Sequence, residues 1–155
     1  MHRLCRILFS FLLWSTVMGA AHADASARAQ FTVNATAKFR IVKGVRRVEF
    51  VWPAESAGPC RLDVPSFVLE DSGKGFFQSN ASTVDASTGG VWHLAIDLED
   101  ANGYYLFGVE EFASPVMTAG DPPPQFEYDQ RLRWNPRDVQ LAWGHIRTAQ
   151  LHGTC

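Results

Sequence analysis

The sequence predicts an all-β protein of about eight antiparallel strands, arranged as a meander barrel or a two-sheet sandwich. Three observations carry that prediction. Apolar and polar residues alternate with a period of two along most of the chain after residue 30, as strands with one buried and one wet face do. Clusters of Gly, Asn, Asp and Pro punctuate the alternating runs. No stretch sustains the apolar i, i+3, i+4, i+7 stripe of an amphipathic helix against the strand reading.

Taken in order, the first run sets Phe31, Val33, Ala35, Ala37, Phe39 and Ile41 on one face, with Thr32, Asn34, Thr36, Lys38 and Arg40 on the other. A turn at Val42-Lys43-Gly44 leads into a return strand with Val48, Phe50 and Trp52 inward. The stretch Pro53 to Pro59 is a break. Arg61 to Glu70 is extended, with Pro65 marking an edge or a bulge. After the turn at Asp71-Ser72-Gly73-Lys74-Gly75, with its two glycines, Phe76 to Val84 is a polar strand. Val91 to Leu98 buries Trp92, Leu94, Ile96 and Leu98, and Asn102-Gly103 is the strongest hairpin signal in the chain. Tyr104 to Val109 completes that hairpin, burying Tyr105, Phe107 and Val109. Glu110 to Pro124 reads as a long loop with a triproline, which resists helix and ladder alike. Gln125 to Trp134 alternates again, Asn135 to Asp138 is a turn, and Val139 to Thr148 is the last strand.

The first 23 residues read as an export signal. Arg3 and Arg6 give a positive start, Ile7 to Met18 is a short apolar core, and Ala21-His22-Ala23 is a peptidase site, with cleavage expected after Ala23. The apolar run is too short to span a bilayer, for which about 20 residues are needed. Residues 24–155 then form one all-β domain with no membrane segment, secreted or periplasmic, and a monomer is expected. Removing Arg3 and Arg6 takes the formal net charge from -2 to -4, which leaves no overall basic footprint for nucleic acid or an anionic membrane. Cys5 goes as well, and in an exported chain Cys60 and Cys155 most simply form a structural disulfide.

Catalytic chemistry finds little support. His93, His145 and His152 have no metal-ligand spacing, and the glycine pairs do not precede a helix that could cradle phosphate, so no metal and no cofactor is expected. There is no nucleophile elbow, and no catalytic residue is assigned. A hydrolase using His93 with Asp97 or Asp121 ranks last among the functional classes.

Binding has more support. Phe76 to Val84 mixes Gln78, Asn80, Ser82 and Thr83 with aromatics, and Gln130 and His145 interrupt otherwise apolar faces. Scattered amides, hydroxyls and rings on the inner wall of a small barrel would line a ligand cavity. Trp92, His93, Tyr128, Trp143 and His145 are the candidate lining for a small or extended ligand. The other non-catalytic reading is a protein-interaction module, such as an inhibitor of an extracellular enzyme, contacting its partner through Ser114, Asp121, Pro122, Pro123 and Pro124.

Several local features together resemble a family of small exported bacterial domains of uncharacterised function. They are Val91-Trp92-His93, Asp100-Ala101-Asn102-Gly103, Ser114-Pro115-Val116-Met117, the triproline Pro122 to Pro124 and the terminal Cys155. The resemblance spans roughly residues 60–155 and implies export, a single domain and the disulfide, but no activity.

Overall fold

The computed structural model describes residues 29–85 and 89–155, so the expected export signal and Cys5 lie outside the described residues. Among the described residues, ten strands and one short helix follow one another. They are β1 (Gln30–Thr36), β2 (Lys38–Val42), β3 (Val45–Val51), β4 (Glu55–Ala57), β5 (Cys60–Glu70), β6 (Lys74–Thr83), β7 (His93–Glu99), β8 (Tyr105–Ala113), β9 (Phe126–Arg133), α1 (Pro136–Ala142) and β10 (Thr148–Thr154). Four strands form one sheet in the order β1-β10-β7-β8, and the other sheet runs β2-β3-β5-β6-β9, with β4 paired to β5. Every pairing between these strands is antiparallel.

The all-β expectation holds, and the choice it left open resolves to a two-sheet sandwich with no closed barrel. The meander is only partial. β2, β3, β5 and β6 follow one another, whereas β10 returns to lie between β1 and β7, so the first and last strands are neighbours.

Local chemistry explains the agreements and the corrections. Lys43 and Gly44 both take positive φ, 49° and 80°, and turn β2 tightly into β3. At Pro65 the ladder slips between Asp63 and Ser66, and Val64 takes φ 42°, so the expected irregularity is a bulge. The first alternating run is two strands in two sheets, since β1 ends at Thr36 and β2 starts at Lys38. Glu110 to Ala113 extends β8 instead of opening the loop. Tyr105, expected inside, is exposed, because the β7–β8 register shifts between Leu98 and Glu99.

The largest correction is at 136–142, where a helix replaces the start of the expected last strand. Asn135 accepts a hydrogen bond from the Arg137 amide at 3.0 Å, Pro136 opens the helix, and Asp138 sits in its first turn. Those are helix-start signals, and a turn reading absorbed them. Val139 and Trp143, four apart, are both buried.

Between the sheets lies one apolar cluster. Phe50, Phe67, Phe77, Trp52, Trp92 and Tyr128 are almost wholly buried, with Leu62, Leu69, Leu94, Ile96 and Leu98 packed among them. The rings meet edge-on or stacked, as in Phe50–Phe67 at 6.2 Å and Phe77–Tyr128 at 5.4 Å between centroids. Buried polar atoms are matched: the Trp52 indole donates to the Ala149 carbonyl at 3.2 Å and the Tyr128 hydroxyl to the Phe112 carbonyl at 3.3 Å. Among the described residues no buried side-chain nitrogen or oxygen lacks a partner. Gly75 keeps this layer thin, since a Cβ there would run into the rings of Trp134 and Phe67.

Cys60, at the start of β5, is joined to Cys155, just past β10, across 95 residues of sequence. The expected disulfide is therefore present, and it ties one sheet to the other instead of closing a barrel.

Candidate functional site

The five residues expected to line a ligand cavity do not meet at one opening. Trp92 and Tyr128 are core, 0% and 1% exposed, and the sandwich leaves no barrel mouth for them to line. His145 is exposed in the turn after α1 and does not share an inner face with Val139 and Trp143. His93 points outward from β7, with Nδ1 2.7 Å from Glu111 Oε1. Trp143 alone borders an open hollow, beside Phe39, Ile41, Arg40, Arg46 and Arg47. There the Arg46 guanidinium lies 5.5 Å from the centre of the Trp143 ring, and Phe39 meets that ring edge-on at 5.9 Å.

The long loop divides in two. Ser114 is buried: its hydroxyl accepts from the Trp92 amide at 2.9 Å and donates to the Pro115 carbonyl at 2.9 Å. Gly90 and Met117 exchange a pair of backbone hydrogen bonds, which clamps the first part of the loop to residues 90–92. Ser114 thus anchors the loop. Asp121, Pro122 and Pro124 are exposed and Pro123 is half-buried, so the second part is the accessible one.

The hydrolase grouping does not assemble either. His93 is paired to Glu111, while Asp97 Oδ2 lies 3.1 Å from His152 Nε2, and His152 Nδ1 lies 3.2 Å from the Thr32 hydroxyl. This hydroxyl–imidazole–carboxylate row lies across β1, β10 and β7 on the outside of the sheet, with Thr32 exposed. Nearby, Gln150 donates to Asn34 at 3.1 Å and Thr148 to Glu99 at 3.1 Å. Among the described residues no group of three or more His, Cys, Asp or Glu is placed to hold a metal ion.

The outer face of the six-stranded sheet is different. Cross-strand register sets Arg40 opposite Arg47, Arg47 opposite Glu70, and Lys74 opposite Arg133. In the adjacent row, Glu49 faces Val68, Val68 faces Phe76, and Phe76 faces Arg131. Arg40 is paired with Glu49 at 3.1 Å and Arg47 with Glu70 at 2.7 Å. Among the described residues Lys74, Arg131 and Arg133 make no ion pair and no side-chain hydrogen bond, although they lie beside the half-buried ring of Phe76. Two shallow depressions flank that ring. One is lined by Arg47, Val68, Glu70, Lys74, Gly75 and Phe76, and the other by Lys74, Gly75, Phe76, Arg131, Leu132 and Arg133. Sharing Lys74, Gly75 and Phe76, they make one trough that crosses the strands from β3 to β9.

Sequence reasoning passed over these cations because their residues looked like the ordinary wet side of alternating strands. One signal could have exposed them. Lys74 lies at the start of one alternating run and Arg131 and Arg133 at the end of another, so an antiparallel pairing of those two runs, once known, brings the charges together. Net charge hid the cluster, since acids elsewhere outnumber it.

Asp100 is held below the usual carboxylate range by the Tyr104 and Asn102 amides, which donate to Oδ1 at 3.0 and 2.8 Å. Burial raises the Tyr128 phenol, which keeps it protonated in the core.

These features define a β-sandwich whose two sheets are stapled by one disulfide and whose irregular surface chemistry is concentrated on one outer face. The chain belongs to a family of unknown function (DUF6294), whose model matches residues 66–155. That span takes in the end of β5, from Ser66 on, and everything from β6 to β10, including all the trough residues except Arg47. No curated protein and no solved structure matches the chain.

Proposed function

We propose that the protein is an exported, non-catalytic binding module that takes its ligand on the outer face of the six-stranded sheet. The observation that carries this reading is the trough around Phe76, where three unpaired cations and an accessible ring lie together over a well-packed core. Unpaired like charges on neighbouring strands cost stability, so their clustering is best explained by something that binds them. Export is supported by the amino-terminal pattern and by the disulfide, which persists in oxidising compartments. Among the described residues no helix is long and apolar enough to cross a membrane.

The test is native mass spectrometry of the protein from its own host, followed by titration with a panel of glycans, anionic lipids and extracellular proteins. The reading expects a retained or titratable ligand whose binding falls on charge reversal at Lys74 and Arg133. It is contradicted by turnover of a panel member, or by ligand binding indifferent to that reversal.

A second reading keeps a specific observation in its favour. The clamp at Ser114 and Met117 presents the exposed segment Asp121 to Pro124 from a fixed base, which lowers the ordering cost of a protein contact. Deleting Pro122 to Pro124 would then abolish capture of an extracellular partner and leave stability nearly intact. Unchanged capture contradicts it.

A further inference from the structure

Building on the binding-module reading, we infer that the trough ligand is an acidic polysaccharide. Lys74, Arg131 and Arg133 hold its carboxylate or sulfate groups, and the Phe76 ring receives the C–H face of a sugar between them. Three features of the face select this chemistry.

The first is charge. A chain with a formal net charge of -2 concentrates three unpaired cations in one trough, while Arg47, at its β3 end, is held in place by Glu70. Such a segregated patch attracts anions and orients them before contact.

The second is shape. The trough is shallow and crosses β3, β5, β6 and β9, a span of about 14 Å at the usual strand spacing. Its unpaired cations are spread along β6 and β9 beside the ring, while Arg47 and Glu70 pair at the other end, and cations spread in this way suit a chain with repeated charges better than a compact anion. Phe76 is the trough's single ring and is half-buried, so the face offers little apolar surface to a bilayer.

The third is the state of the backbone. β5 and β6 each have a strand hydrogen-bonded on both sides, so the floor of the trough offers no free ladder groups. An acidic peptide adding to the free edge at β9 would run along the strands and not across them. Recognition on this floor is left to side chains: charge–charge contacts and the face of one ring.

The experiment measures binding of polygalacturonate to the whole protein, with neutral dextran, poly-glutamate and phosphatidylglycerol vesicles alongside. The inference expects polygalacturonate to bind more tightly than poly-glutamate or the vesicles, with affinity falling as salt rises. Lys74→Glu with Arg133→Glu should weaken it about tenfold or more. Phe76→Ala should weaken it several-fold without changing the salt dependence, and Gln150→Glu on the opposite sheet should leave it unchanged. All variants are surface changes, and unchanged thermal melting shows that they fold.

Equal binding of poly-glutamate, preference for the vesicles, or indifference to Phe76→Ala each overturns the polysaccharide assignment. If no polyanion binds while a neutral glycan or a protein does, the assignment falls and the binding-module reading stands. If nothing in either panel binds, both fall.

Discussion

The two outer faces of the sandwich follow the same alternating pattern but differ in how they handle their polar side chains. On the four-stranded sheet, cross-strand neighbours satisfy one another: Thr32 with His152, His152 with Asp97, Asn34 with Gln150, Glu99 with Thr148 and His93 with Glu111. On the six-stranded sheet, Arg40 and Arg47 are paired, but Lys74, Arg131 and Arg133 are left facing water around Phe76. A face whose groups are matched among themselves has little to offer a ligand, whereas a cluster of unmatched charge beside an accessible ring does. The difference separates a structural surface from a candidate recognition surface on one fold.

Substitutions can test the contrast between the two faces, beginning with the frame that holds both in place. Replacing Cys60 and Cys155 by Ala releases a 95-residue closure between the sheets and should cost roughly 4–5 kcal/mol in the chain-entropy model. Denaturant unfolding checks this. A loss under about 1 kcal/mol would mean that the core alone fixes how the sheets meet.

Adjacent phenylalanines on β6 give the next contrast. Phe77 is fully buried against Phe112 and Tyr128, and Phe77→Ala should cost about 3–5 kcal/mol. Phe76→Ala, one residue earlier and on the trough side, should cost about 1 kcal/mol or less. Similar losses at both positions would mean that the trough ring is part of the fold and not free for a ligand.

Smaller effects distinguish the faces themselves. Asp97→Asn removes one partner of His152, and at these exposures the loss should be about 0.2–1 kcal/mol. Lys74→Ser or Arg133→Ser removes like charge from the cluster and should be neutral or slightly stabilising, within about 0.5 kcal/mol. A clear destabilisation by either would give those cations a structural partner and weaken the contrast.

The smallest effect lies in the β7–β8 turn. Because the Asp100 pKa is lowered in the fold, its contribution is present above the ordinary carboxylate range and is lost as pH falls through the lowered value. The amide signals of Asn102 and Tyr104 should titrate together, below the pH at which a free aspartate does. Titration in the ordinary carboxylate range would show that the turn does not hold the carboxylate as described.

Most of the fold was legible because strand chemistry is local. Period-two alternation marked the inward Val48, Phe50, Trp92, Leu94, Ile96 and Leu98, and Asn102-Gly103 and Pro65 identified a hairpin and a bulge from two residues and one. The helix at 136–142 was missed because it is seven residues long and buries little beyond Val139 and Trp143, too short for its period to stand against alternation. The site was far less legible. Lys74 and Arg133 are brought opposite each other by a β6–β9 pairing that bypasses two intervening strands, and no local pattern encodes it. The buried Trp92 and Tyr128 drew notice in the sequence because they are aromatic, but aromatic content alone does not distinguish a packed ring from an open one.

The most direct test of the account is an amide chemical-shift titration of the whole protein with short polygalacturonate chains. The account predicts shifts confined to Arg47, Val68, Lys74 to Phe76 and Arg131 to Arg133, with the Trp92 indole and the His152–Asp97 row undisturbed. Shifts centred on the Trp92 and Tyr128 core or on the four-stranded face, with Lys74 to Phe76 silent, would contradict it.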